Sequence, residues 1–221
     1  REASSPPVSF SPEFPMSNPQ WLLWARQIQA IAQNGLTYTE GVFDRERYTQ
    51  LRALAQEILA TYTDMPAEAL SGIFGREVGY ATPKIDVRGA VFRDGKVLLV
   101  RERSDGLWTL PGGWVDVDDP PSKAVEREIR EESGYRTRAV KLAAVWDRNL
   151  HGHPPHAFHI YKLAFICELL DGTATHSIET DAVDWFAPDA LPPLSLTRVM
   201  PSQVARLFEH ARQPDLPADF D

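Results

Sequence analysis

The stretch REIREESGY, residues 127–135, constrains this chain more than any other because it gathers acidic residues on one short segment. If the stretch is helical, Glu128, Glu131 and Glu132 follow the spacing of helical turns, so their side chains lie on one face. Like charges at this spacing destabilise an isolated helix by roughly 0.2–0.5 kcal/mol per pair. We therefore expect this face to be either solvated or occupied by a bound cation.

The flanking residues indicate where this helix begins and ends. Proline is favoured at the first position of a helix and glycine just after the last, and here Pro121 precedes and Gly134 follows the acidic segment. The carboxylates of residues 118–119 come just before the helix, where they can accept backbone N–H hydrogen bonds. The apolar residues of the segment can face a sheet while the glutamates face away from it, and they are Ala124, Val125 and Ile129.

The composition limits the classes of protein to which the chain can belong. With 221 residues, of which 43% are hydrophobic, it can bury the core of one large or two modest domains. Its formal net charge of −8 argues against a general nucleic-acid surface, and no apolar run is long enough to span a membrane. The single cysteine, Cys167, excludes an intrachain disulfide and suits a reducing compartment, so we expect a cytoplasmic protein.

The N-terminal part of the chain predicts an arm followed by a small helical domain. Residues 1–16 are rich in Ser and Pro and lack the apolar core of a signal peptide, so we interpret them as a disordered arm or tag. A helix is expected over residues 21–34, with Gly35 as its stop signal and a second helix after Asp44. With a short third helix, these form a predicted helical domain at 17–80. The expected apolar side of the first helix comprises Trp21, Trp24, Ile28 and Ile31.

From Lys84 onward the pattern changes to short runs rich in β-branched residues, separated by turns. Asp94-Gly95 between two such runs is a strong hairpin signal. Because both hairpins and helices interrupt the runs, we expect a mixed sheet between helices rather than a doubly wound parallel sheet. The predicted fold class is α/β, with this second domain at about 84–212.

The residues around the acidic helix resemble the signature of the Nudix hydrolases, G-x5-E-x7-R-E-U-x-E-E-x-G-U, where U is apolar. One position departs from the signature, since Asp119 stands in place of a glutamate that is not among the family's main metal ligands. From background residue usage, so complete a match arises by chance at on the order of one in a billion starting points. The matching residues are Gly113, Arg127, Glu128, Ile129, Glu131, Glu132, Gly134 and Tyr135.

The resemblance implies a Nudix α/β/α sandwich and metal-dependent hydrolysis of a pyrophosphate bond. The implied ligands of Mg²⁺ or Mn²⁺ are helix glutamates, one backbone carbonyl and a downstream carboxylate, which are Glu128, Glu131, Glu132, Gly112 and Glu179. Asp181 competes with Glu179 for the downstream position. The proton acceptor would be Glu179 or Glu128, two alternatives that stay open, and Arg127 would hold the carboxylates in position.

A histidine-rich segment, DRNLHGHPPHAFHIYKL at residues 147–163, joins two predicted strands. Its histidines raise the alternative of a zinc site, but the double proline at 154–155 prevents a helix, and alternate strand positions face opposite ways. We favour a substrate-facing loop in which Arg148 and His151 contact phosphate or the leaving group, and Arg88 is a further candidate for substrate binding. The zinc alternative would use His153, His156 and His159.

The helical extension adds a resemblance to a bacterial Nudix subgroup that hydrolyses nucleoside diphosphates linked to another moiety. This resemblance implies a small-molecule nucleotide substrate, with ADP-ribose and CDP-choline equally favoured. We also expect the helical domain to form much of a homodimer interface, because Trp21 and Trp24 exceed what so small a core can bury. Four tryptophans either pack in the core or stack on the nucleotide base, namely Trp108, Trp114, Trp146 and Trp185.

Two other functions remain alternatives at this point. One is a catalytically silent Nudix-like module that binds ADP-ribose, although such a module is expected to carry a basic DNA-binding unit or an interrupted signature, and neither occurs here. The other is an RNA-processing nuclease or pyrophosphohydrolase built on the same signature. The net charge of −8 weighs against this second alternative, so nucleic acid is a disfavoured partner.

Overall fold

The computed structural model describes residues 19–63 and 66–221. The arm predicted at residues 1–16 lies outside them. Within the described ranges, no helix is both long and apolar enough to cross a membrane. The described chain begins with a helical unit and continues as a sheet flanked by helices.

The helical unit consists of α1 (Gln20–Tyr38), α2 (Val42–Tyr62) and α3 (Ala67–Arg76). The prediction that Gly35 ends the first helix is wrong, because α1 continues through it to Tyr38. A Cβ atom at Gly35 would lie 2.4 Å from the ring of Tyr48 on α2. The glycine therefore permits close approach of the two helices, and tertiary packing overrides its tendency to end a helix.

The buried face of α1 also differs from the predicted one. Trp24 and Ile31, expected on the buried side, are each 56% exposed. The first helix has apolar residues around much of its circumference, so more than one of its faces carries apolar residues at helical spacing. The neighbouring helices decide which of these faces is buried. The side chains that α1 buries are Leu22, Ala25, Gln29, Ala32 and Gln33.

The rest of the chain is built on a mixed sheet, as predicted. The strands are β1 (Lys84–Arg93), β2 (Lys96–Glu102), β3 (Trp108–Thr109), β4 (Tyr135–Asp147), β5 (Ile160–Gly172), β6 (Thr180–Phe186) and β7 (Asp219–Phe220). They occur in the order β3-β2-β1-β5-β4-β7, and β6 pairs with β2. The β1–β5 and β4–β7 pairs are parallel, whereas β1–β2, β2–β3, β2–β6 and β4–β5 are antiparallel.

The hairpin predicted at Asp94-Gly95 is present. Arg93 on β1 pairs with Lys96 on β2, so the loop has two residues. Asp94 has φ 52° and Gly95 has φ 75°, the left-handed conformation that a two-residue loop of type I′ requires. The local sequence therefore fixes the register of the first two strands.

Two helices enclose the sheet. Helix α4 (Pro121–Ser133) packs on one face through its predicted apolar side, and α5 (Pro201–Arg212) packs on the other. A Cβ atom at Gly89 of β1 would lie 2.5 Å from Cδ1 of Ile129, so the missing side chain lets α4 lie close to the sheet. The resulting α/β/α sandwich presents the opposite side of α4 to a cleft of about 690 Å³.

Candidate active site

The loop that precedes α4 and the helix itself meet at Glu132. Gly112 has φ 140°, and a Cβ atom there would lie 2.0 Å from the carbonyl oxygen of Val87, so only glycine fits. This close approach directs the N–H of Gly112 at the carboxyl of Glu132, which accepts it at 2.9 Å. Glu132 is 5% exposed, and burial raises its pKa to about 8.

Arg127 links the other carboxylates of this helix. Its Nη1 atom lies 2.7 Å from Oε1 of Glu128 and 3.3 Å from Oε2 of Glu131. Its Nη2 atom lies 3.2 Å from Oδ2 of Asp119, which was expected to cap the helix. That expectation is wrong, because the N-cap position is Pro120 and no side chain caps the backbone there. Arg127 therefore ties the acidic face to the loop before the helix.

The downstream carboxylate that lines the same cleft is Glu179. The hydroxyl of Thr180 donates to the carbonyl of Glu132 at 2.8 Å, and the N–H of Arg103 donates to the carbonyl of Glu179, also at 2.8 Å. These bonds fix the start of β6 beside the end of α4. The competing residue, Asp181, is absent from the cleft lining and lies 2.6 Å from Nε of Arg101.

The donor atoms around the acidic face fit a hard divalent cation. Among the described residues, no three His, Cys, Asp or Glu side chains converge on one point, since Arg127 engages Glu128 and Glu131 while Gly112 engages Glu132. The available atoms are nevertheless carboxylate and carbonyl oxygens, which Mg²⁺ and Mn²⁺ prefer. Partial burial also raises the pKa of Glu128, so a nearby cation would stabilise the ionised form of both the Glu128 and the Glu132 carboxyl.

A second, cationic group of side chains lines the cleft. Asp86 lies between two cations, with Oδ2 at 2.7 Å from Nη2 of Arg88 and Oδ1 at 2.5 Å from Nζ of Lys162. All three residues are buried, and burial lowers the pKa of Lys162 to about 8. One carboxylate thus faces two cations, which leaves an excess of positive charge. Of these residues, sequence analysis identified Arg88 alone.

The sequence carries a signal for Asp86 but none for Lys162. Asp86 and Arg88 are charged residues at alternate positions in the largely apolar middle of β1, so they share one face. Lys162 could not be assigned to them from the sequence, because it is opposite Asp86 in the parallel β1–β5 register, 76 positions further along the chain.

Arg148 and His151, both predicted to bind substrate, occupy different surroundings. Arg148 lines the cleft, is 1% exposed and donates to the carbonyl of Pro154 at 2.8 Å and to that of Thr197. Burial lowers its pKa to about 10. His151 is not among the residues that line the cleft, and its Nε2 lies 3.1 Å from the carboxyl of Asp221. The structure therefore brings Arg148, but not His151, to the cleft that the acidic face of α4 also lines.

The other histidines of the segment do not form a common site. Nδ1 of His153 lies 2.7 Å from the carbonyl oxygen of Leu196, and Nε2 of His159 lies 2.9 Å from Oδ2 of Asp147. Within the described ranges, no cluster of metal-binding side chains includes them. His156, considered only for zinc, instead lines the cleft with Arg148.

The tryptophans divide between the core and the cleft. Trp146 is buried in the hydrophobic core, and Trp108 and Trp185 pack against buried clusters. Trp114 is 48% exposed and lines the cleft. Of the four predicted candidates, Trp114 is therefore the one in a position to stack on a bound base.

Comparison with known proteins identifies both parts of the chain. Residues 83–207 match the NUDIX domain, and residues 19–74 match a domain described as a UDP-X-like, N-terminal oligomerisation domain. A Bacillus subtilis (strain 168) protein, YjhB, provisionally named an ADP-ribose pyrophosphatase, is 46% identical over 91% of this chain and 97% of its own length.

Solved structures show the same relationship. A UDP-X diphosphatase is 33% identical, with a TM-score of 0.60 over 93% of this chain and all of its own. An ADP-ribose pyrophosphatase from Streptococcus suis 89-1591 is 38% identical, with a TM-score of 0.59 over 63% of this chain and all of its own. With the signature residues placed on α4, these matches show that the chain belongs to the Nudix hydrolase family.

Proposed function

We propose that this protein hydrolyses the pyrophosphate bond of nucleoside diphosphates linked to another moiety. Water would attack one phosphorus atom and the bridging P–O bond would break, releasing a nucleoside monophosphate and a phosphorylated product. The observation that carries this proposal is the pairing, in one cleft, of the acidic face of α4 with the cationic group around Asp86. A carboxylate-held cation and buried basic side chains together suit a diphosphate.

Five groups are proposed to hold Mg²⁺ or Mn²⁺, each of which lines the cleft. When bound, the cation supplies positive charge and Lewis acidity at the phosphates. Arg127 is the proposed positioning residue, since it contacts two of these carboxylates as well as Asp119. The five groups are the carboxylates of Glu128, Glu131, Glu132 and Glu179 and the carbonyl of Gly112.

Glu179 is the proposed proton acceptor. It is exposed at the cleft, and its carboxylate forms no salt bridge with the described residues. Glu128, the alternative, lies 2.7 Å from Nη1 of Arg127, so its carboxylate is already engaged in an ion pair and is less available to a water molecule. Arg88, Lys162 and Arg148 would supply positive charge to the diphosphate oxygens that face away from the helix.

Of the two candidate substrates, we propose ADP-ribose in preference to CDP-choline. Both fit the substrate class, but two of the relatives above are named as ADP-ribose pyrophosphatases and none is named for a CDP-alcohol. The UDP-X diphosphatase adds UDP-linked compounds to the set worth testing.

A substrate panel tests the proposal. ADP-ribose, CDP-choline, a UDP-linked sugar, nucleoside triphosphates and a short RNA are each assayed with Mg²⁺, with Mn²⁺ and with a chelator. We expect chelator-sensitive release of a nucleoside monophosphate from a diphosphate-linked compound. Turnover confined to triphosphates, preferred cleavage of RNA, binding of ADP-ribose without turnover, or activity unaffected by chelator would each contradict the proposal.

We further propose a homodimer formed through the helical unit. The match of residues 19–74 to an oligomerisation domain supports this, as do exposed apolar side chains on the first two helices. Isolated exposed apolar residues are common, but a group of large ones on adjacent helices is typical of a contact surface. The group includes Trp24, Ile31, Tyr38, Val42, Phe43 and Tyr62.

A further inference from the structure

We propose that His156 binds the substrate's diphosphate as an uncharged hydrogen-bond donor, and that Arg26 of the helical unit is the positioning residue that holds it there. The inference rests on the proposed function, since it assigns a contact within the same cleft. It gives the helical unit a second role beyond contact between subunits. The two residues are 130 positions apart, so the sequence offers no indication that they meet.

The tautomer of His156 follows from its neighbour. Nδ1 lies 3.1 Å from the backbone nitrogen of Phe158, which donates its N–H to it, and lies further, at 3.4 Å, from the carbonyl oxygen of Phe158. An Nδ1 that accepts a hydrogen bond carries no proton, so the neutral ring carries its proton on Nε2. Nε2 has no hydrogen-bond partner among the described residues, and the side chain lines the cleft.

The surroundings keep this ring uncharged. Burial is the largest cause that lowers the pKa of His156, to about 4, and the charges of Arg148, Arg26 and Lys162 lower it further. At neutral pH the ring therefore presents one N–H without adding to the positive charge around Asp86. The oxygens of a diphosphate accept such a hydrogen bond. The neighbouring Arg and Lys side chains cannot, because they carry donors and no acceptor.

Arg26 fixes the backbone of this residue from the helical unit. Its Nε donates to the carbonyl of His156 at 3.1 Å, and its Nη2 donates to the same oxygen. Its Nη1 donates to Oδ1 of Asn149 at 2.7 Å, so one guanidinium spans both ends of the loop. Arg26 is partly buried, and this burial lowers its pKa to about 10. A lysine, with one nitrogen, cannot reproduce this fork.

Two substitutions separate the functions of the two ring nitrogens. His156→Asn keeps a group at the Nδ1 position for the N–H of Phe158 but removes the donor at Nε2, whereas His156→Gln keeps a donor near Nε2. The probe is ADP, whose Kd is measured by calorimetry with Mg²⁺ present. We expect His156→Asn to weaken binding roughly tenfold, as for loss of one hydrogen bond to a charged group, and His156→Gln to stay within about threefold of wild type.

Arg26 is tested through its dependence on His156. Arg26→Gln should weaken ADP binding several-fold alone but add little to His156→Asn, because the contact it supports is then already lost. Arg26→Lys should recover only part of the loss, and Arg76→Gln, at the exposed end of α3, should bind as wild type. Circular dichroism establishes that each variant is folded.

Binding, rather than turnover, is the deciding measurement. Equal Kd values for wild type and folded His156→Asn, additive losses in the double variant, or no ADP binding by wild type would overturn the inference. The proposed hydrolysis is judged separately by the substrate panel. If the wild-type enzyme is active and His156→Asn leaves the Kd for ADP unchanged, the proposed function stands and only the His156 contact is refuted.

Discussion

Glu132 illustrates how burial sets the chemistry of a residue that looks ordinary in the sequence. It is one of three neighbouring glutamates, yet it is 5% exposed whereas the side chain of Glu131 is 51% exposed. Burial raises the pKa of Glu132 to about 8, and the charge of Arg88 and the N–H of Gly112 partly offset that effect. The residue with the most desolvated carboxyl gains most from a nearby cation.

Glu132→Gln is expected to reduce kcat about 100-fold or more while the chain stays folded. The amide keeps the shape of the side chain and its oxygen can still accept the N–H of Gly112, but it carries no negative charge for a cation. Steady-state kinetics and thermal unfolding measure the two effects. Glu126→Gln, on the same helix but outside the cleft lining, is the control and should keep normal turnover. Near-normal activity of Glu132→Gln would remove the proposed metal site.

His153 makes stability depend on pH in the acid range. Burial lowers its pKa to about 3, whereas an unfolded histidine has a pKa of about 6.5. Between these values the unfolded chain binds a proton that the folded chain excludes, so the free energy of unfolding falls as pH falls from about 6.5. In His153→Asn the side chain can still donate to the carbonyl of Leu196. Between pH 7 and pH 5, the free energy of unfolding measured in urea should fall by about 1–2 kcal/mol less in this variant than in wild type. Parallel pH curves for the two proteins would contradict this.

At the scale of the secondary-structure elements, the loop before α4 depends on one glycine. Gly112→Ala places a Cβ atom 2.0 Å from the carbonyl oxygen of Val87 and strains a residue at φ 140°. We expect a loss of at least about 2 kcal/mol in the free energy of unfolding, together with loss of activity, because Glu132 loses its backbone partner. Urea unfolding monitored by circular dichroism measures this loss.

Gly72 provides the matched comparison. It lies within α3, and a Cβ atom there would meet nothing within 4 Å. Gly72→Ala should therefore stabilise the protein by up to about 1 kcal/mol, since alanine restricts the unfolded chain and favours the helix. Similar effects of the two glycine substitutions would show that close approach at Gly112 is not what the loop requires.

Local sequence predicted the elements that local chemistry governs. The hairpin at Asp94-Gly95 needs two left-handed residues, and helix α4 has a proline at its start and Gly134 in the left-handed conformation at its end. Gly35 misled the prediction because its role is contact with Tyr48 of another helix, which no local pattern reveals.

For the whole molecule, the helical unit leaves an apolar surface on its outer side. Trp24→Glu combined with Ile31→Glu should convert the proposed dimer into a monomer, because a charge buried in such a contact is unfavourable without a partner. Light scattering at micromolar concentration measures the mass. Leu170→Glu, a similarly exposed position on β5, is the control and should leave the mass unchanged. A monomeric wild-type protein would refute the proposed interface.

The sequence by itself determined the family, the mixed sheet and the acidic face of α4, because each depends on spacing within one short segment or on the alternation of segments. Tertiary structure alone decided which distant groups share the cleft. Strand register, not spacing, places Lys162 beside Asp86, and interdomain packing places Arg26 against His156. The tertiary structure also places His151 outside the cleft lining, beside Asp221. Such contacts join residues far apart in the chain, and their energies depend on burial, which appears only when the whole molecule has folded.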